Sequence, residues 1–235
     1  MSMTALWALL VMGGFAIQPP GRFHGDEPVA RDGESWLALH FDGNAALLVA
    51  TTLKVRAVHD ELLDEAGARS GLEVSSQEGD QVVAYLRGSG LKSGAIESAV
   101  VASRDPDTAG LPYALTFQGR PHLLSSQCDE TPRDEPAQQP RPRFDCRIEL
   151  RMGGRAQALS RLTGYREPGA GAISLGDDAS PVLLFAGDLD RDGKLDLIFN
   201  TTDHYNVSRP TLFLSSQAKP GELLGEVARY ESVGC

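Results

Sequence analysis

The chain has 235 residues, enough for one large domain or two small ones. Hydrophobic residues make up 41% of it and charged residues 23%, with 25 Gly and 14 Pro, which excludes wholesale disorder, collagen and coiled coil. Asp plus Glu number 32 against 22 Lys plus Arg, and a net charge of −10 excludes an ordinary nucleic-acid binder or a ligand of anionic lipid.

Residues 5–17 form an uncharged apolar run, and the first charged side chain is Arg22. Gly14 and Ala16 are small, which suits cleavage after Ala16, so residues 1–16 read as a signal peptide. No Lys or Arg precedes the run, and a buried strand or helix is the competing reading. Residues 17–34, opening on Pro19-Pro20-Gly21, then make an extended N-terminal segment. No run of 18 apolar residues occurs, so no membrane span is expected once the leader is removed. The expected location is secreted or periplasmic.

From Ser35 onward the apolar residues come in short runs separated by turn signals. Trp36, Ala38 and His40 oppose Leu37, Leu39 and Phe41, before a turn at Asp42-Gly43-Asn44. Further strands are expected at 45–50, 53–58, 82–86, 96–101 and 113–117. Phe144, Cys146, Ile148, Leu150 and Met152 alternate with charged residues, the pattern of a strand with one wet side, and Gly153-Gly154 turns it. Glu61 to Ala68 could make a turn or two of helix, and Leu223 to Tyr230 a short helix or a last strand. The spacing predicts an all-β fold, mainly antiparallel, with little helix: a sandwich, a barrel or a partial propeller. Residues 35–235 are expected to form a single β-rich domain.

Cys128 and Cys146 flank 17 residues that contain four prolines and no apolar pattern. A disulfide across the base of that segment would close a hairpin connection, leaving Cys235 over. The competing reading is three reduced, buried thiols.

The chemistry lies at 181–200, where Asp188, Asp190, Asp192 and Asp196 fall at positions 1, 3, 5 and 9 of a loop with Gly193 at position 6. Carboxylates at alternate positions of a tight loop can converge on one centre, and Gly193 permits the bend. The Lys194 carbonyl can turn inward at position 7 while its side chain faces solvent. Four carboxylates this close repel without a cation. The hard oxygen set points to Ca²⁺ rather than Zn²⁺, since no His or Cys lies in the loop. An EF-hand would need Glu at position 12, where Phe199 stands, and flanking helices. The flanks Val182–Phe185 and Leu195–Phe199 read instead as strands buried on both faces.

This strand–loop–strand resembles the FG-GAP-like (VCBS-like) calcium motif of integrin α-subunit propellers and of bacterial secreted proteins with related repeats. The resemblance rests on Leu183-Leu184-Phe185, Gly187-Asp188, the Asp-x-Asp-x-Asp-Gly-x-x-Asp core and Leu197-Ile198-Phe199. It implies Ca²⁺ held by Asp188, Asp190, Asp192 and Asp196 in a calcium hairpin at 181–217. The chain holds one such motif and is too short for seven four-stranded blades. The ending of the chain also resembles exported bacterial proteins of unknown function.

Asp203-His204-Tyr205-Asn206 has the residue types of a site, but a strand of seven residues spans about 23 Å and puts it at the far end of the hairpin. The same reasoning returns Ser215, Ser216 and Gln217 to the loop end. His24, His40, His59 and His122 show no ligand spacing. The expectation is therefore an exported, calcium-stabilised structural or binding module, with a protein or glycan as partner. The alternative is a secreted hydrolase whose calcium is purely structural.

Overall fold

The computed structural model describes residues 14–79, 81–102, 111–131, 142–166 and 171–234. Most of the N-terminal apolar run and Cys235 lie outside these residues. In chain order the strands are β1 (Ala16–Gln18), β2 (Gly21–Phe23), β3 (Ser35–Phe41), β4 (Ala46–Thr52), β5 (Lys54–Val58), β6 (Gly71–Ser75), β7 (Val82–Arg87), β8 (Gly94–Ile96), β9 (Val100–Val101) and β10 (Tyr113–Phe117). They continue with β11 (Arg120–Glu130), β12 (Arg143–Met152), β13 (Arg155–Tyr165), β14 (Ser174–Leu175), β15 (Val182–Gly187), β16 (Asp196–Asn200), β17 (Val207–Ser208), β18 (Pro210–Leu214), β19 (Gly225–Arg229) and β20 (Ser232–Val233). A single 3-10 turn, Ser215–Gln217, is the helical element of the described residues. The protein is all-β, and its sheets are antiparallel. Glu61 to Ala68 makes turns, and the last apolar run resolves as the strand β19.

Four sheets pack face on face. A three-stranded sheet (β2-β6-β5) covers a five-stranded one (β1-β7-β3-β4-β8) through Trp36, Ala38, Val74 and Tyr85. The other face of the five-stranded sheet meets a four-stranded sheet (β15-β16-β18-β19) through Leu39, Leu86, Phe185, Ile198 and Leu212. The far face of that sheet meets the six-stranded sheet (β14-β13-β12-β11-β10-β9) through Leu197, Phe199, Phe213, Leu124 and Ile148. Ile198 therefore faces one core while Leu197 and Phe199 face the other, as period-two alternation requires. The central hairpin is buried on both faces. So is β3, whose even-numbered and odd-numbered side chains enter different cores.

Two elements depart from the sequence pattern. The apolar run 96–101 is not one strand: β8 ends in the five-stranded sheet and β9 starts the six-stranded one. Between them the chain crosses layers beside β15, where Ser98 bridges Gly187 and the Ala99 N–H donates to the Ala186 carbonyl at 2.9 Å. β13 carries no clean alternation because a bulge adds Leu159 between Ala158 and Ser160, and register with β12 shifts there. Leu159 and Leu162, three apart, then share one core.

Cys128 and Cys146 are bonded, and they sit directly opposite one another on β11 and β12. The Pro-rich segment thus joins adjacent strands of one sheet. Closing a loop of this order stabilises by about 3 kcal/mol through the unfolded chain. Reduced protein is expected to unfold about 3 kcal/mol more easily than oxidised protein in matched urea titrations.

His24 Nδ1 meets Asp60 Oδ2, tying the N-terminal segment to the turn after β5. The hydrogen bond to Asp60 holds the His24 pKa above its usual value, and the same bond holds Asp60 below its own. The His24 contribution is complete below about pH 6.5 and is lost as pH rises through the raised folded-state value. The Asp60 contribution is present above about pH 3.9 and is lost as pH falls through the lowered one. Stability measured by urea unfolding is therefore expected to fall as pH rises above about 6.5 in wild type, and His24→Asn is expected to flatten that slope.

Candidate metal centre

The β15–β16 hairpin pairs Gly187 with Asp196 at its loop end and Val182 with Asn200 at its far end. The loop between is pinned from two sides. Leu189 is buried in the core shared with the five-stranded sheet, and Leu195 in the core shared with the six-stranded sheet. Gly193 takes φ 80°, the left-handed conformation that the bend after Asp192 requires. Gly187 is needed for closeness: a Cβ there would lie 2.4 Å from the Glu97 carbonyl oxygen.

Carboxylate oxygens of Asp188, Asp190 and Asp196 converge to within 4.8 Å of one another. Asp196 is fully buried and Asp188 nearly so. Backbone N–H groups aim them. Leu189 and Ser215 donate to the two Asp196 oxygens, each at 2.8 Å. Asp192 and Gly193 donate to the two Asp188 oxygens, each at 2.9 Å. A carboxylate oxygen that accepts one N–H retains a second lone pair.

Burial pushes the Asp196 carboxyl up to about 7, and the charges of Asp190 and Asp192 push in the same direction. Burial also raises Asp188, with the same neighbours adding to it. Desolvation and like-charge repulsion both disfavour a fully ionised trio. A cation at the focus would offset both.

Asp192 stands outside the trio. Its carboxylate accepts from the Ser215 hydroxyl at 2.9 Å and 3.0 Å and from the Lys194 N–H at 2.9 Å. The Ser216 hydroxyl donates to Asp190. The 3-10 turn after β18 thus returns to the loop end, as strand length requires. The Lys194 side chain is exposed.

One group was not legible as part of this site. Arg191, at φ 62°, reaches β8, where its guanidinium donates to the Ser93 carbonyl at 3.0 Å and the Ala95 carbonyl at 3.4 Å. The Asp188 N–H donates to the Glu97 carbonyl at 2.9 Å. These contacts join residues almost a hundred positions apart, and no local pattern could announce them.

His204 lies beyond the far end of the hairpin. Its Nε2 is 3.0 Å from Asp177, and its ring stacks on Tyr205 with centroids 4.5 Å apart. Of the other histidines, His24 and His59 both reach the turn after β5, at Asp60 and at Asp64 (3.8 Å), while His40 lies on β3 and His122 on β11. Among comparisons with known proteins, no family model matches the chain, and no curated protein or solved structure matches it either. The FG-GAP likeness therefore rests on residues 181–200.

Arg191→Ala removes the charged donor from β8, which leads into the crossover. Hydrogen bonds to charged groups contribute about 1.5 kcal/mol or more. Amide exchange at 95–99 is expected to quicken about tenfold, read by hydrogen-exchange mass spectrometry, while the β12–β13 amides stay unchanged.

Proposed function

We propose that the chain is an exported calcium-binding β protein, a structural or binding module whose C-terminal hairpin 181–217 is stabilised by Ca²⁺. The observation that carries this reading is the convergence of the Asp188, Asp190 and Asp196 carboxylates at the end of a sheet buried on both faces. The donors are hard oxygens, which suits Ca²⁺ with its six to eight oxygen ligands better than Zn²⁺. The Lys194 carbonyl would add to the set, and Asp192, held by the Ser215 hydroxyl and the Lys194 N–H, would brace the loop beside it. The FG-GAP-like spacing supports the same ion. The Cys128–Cys146 bond is compatible with an oxidising compartment outside the cytosol, where calcium is also abundant. The ion would neutralise the loop, and the packed sheets would present a surface to a protein or glycan partner.

Ligand at a hundred times its dissociation constant stabilises by about 2.7 kcal/mol. For a chain of this size that corresponds to a rise in melting temperature of about 5–10 °C. Thermal melts in excess calcium and in chelator are expected to differ by this amount for wild type and to coincide for Asp190→Ala. Coincident wild-type curves, with no heat of calcium binding by calorimetry, would remove the ion from the reading.

A further inference from the structure

The apolar run 5–17 is not uniform once the fold is formed, because its last three residues belong to the packed sheets. Ala16, Ile17 and Gln18 pair with Arg87, Leu86 and Tyr85 of β7. Ile17 is 1% exposed and lies in the core between the five-stranded and four-stranded sheets. Ala16 packs on the opposite core, with Trp36 and Tyr85. The Phe15 ring joins the Ile17 core and lies so close over Gly88 that a Cβ there would overlap it. Gln18 is fully buried, and its Oε1 accepts the Val29 N–H at 2.9 Å, which ties the segment after β2 to this strand.

The bond after Ala16 therefore lies inside β1. A cut there would remove the Phe15 ring from its seat on Gly88 and one of the three rungs that β1 makes with β7. It would also place a new α-ammonium on Ile17, a residue hidden from water in the fold. An unpaired buried charge is costly, so the end of the strand would have to leave the sheet to hydrate it. The residue before Phe15 differs in every respect. Gly14 is exposed, takes φ 74°, and a Cβ there would meet nothing within 4 Å.

We propose that the leader is cut at the Gly13-Gly14 pair, so that the exported chain begins at Gly14 or Phe15 and keeps the whole of β1. Both residues are small, as the position before such a cut requires. Residues 5–12 remain as eight apolar residues ahead of it, within the usual length of about 7–15 for the apolar part of a signal peptide. The inference rests on the export reading above and adds the processing site to it.

The test is expression of the full chain, leader included, in a bacterial host, with intact-mass spectrometry and N-terminal sequencing of the protein recovered outside the cytosol. The expected first residue is Gly14 or Phe15. Ala16→Val, which suits a strand but is too bulky to precede a cut, is expected to leave processing unchanged. Phe15→Ala is expected to lower the melting temperature of the exported protein by several degrees, since the ring leaves its seat on Gly88. An exported chain that begins at Ile17, a block of processing in Ala16→Val, or an unchanged melting temperature in Phe15→Ala would overturn the inference and leave export standing. An uncut chain retained in the cytosol would overturn both.

Discussion

The central strands of the four-stranded sheet, β16 and β18, are buried on both faces, and that constraint places the polar groups at their ends. β16 runs Asp196-Leu197-Ile198-Phe199-Asn200, with three apolar residues committed to two different cores. A polar group on either face would lose water without a partner, which costs a few kcal/mol. On β16 polar side chains are therefore confined to its two ends, and each is satisfied there. Asn200 accepts the Arg209 N–H at 2.7 Å at one end, and Asp196 accepts two N–H groups at the other.

From this follows the character of the acidic loop. Its carboxylates are not on a wet hairpin tip but are drawn into the junction of the layers by Leu189 and Leu195. Burial there raises the cost of ionisation, while backbone donors hold Asp188 and Asp196 aimed at a common region. The loop also touches two segments remote in sequence, β8 with the residues around it at 93–97 and the turn at 215–217. Whatever charge the loop holds thus acts on the junction of three sheets rather than on one hairpin.

The legible parts of the fold were those in which a local pattern and the tertiary packing agree. The alternation of 144–152, the turn at Gly153-Gly154 and the hairpin closed by Cys128 and Cys146 all appear as read. The acidic spacing marked Asp188, Asp190, Asp192 and Asp196, and the three that converge, Asp188, Asp190 and Asp196, do so within one short loop that needs no distant information. Strand length alone returned Ser215 and Ser216 to the loop and sent His204 away from it. Illegible were β13, where a bulge breaks the period, and the apolar run 96–101, where a uniform pattern hides a change of sheet.

Composition and periodicity were enough for an antiparallel β protein with one acidic loop, because side-chain alternation and turn chemistry act over a few residues. The order of the layers, the position of Asp192 outside the converging trio and the reach of Arg191 belong to the folded molecule. Each depends on segments far apart in the chain, and only the packing of apolar faces against one another brings such segments within hydrogen-bond range.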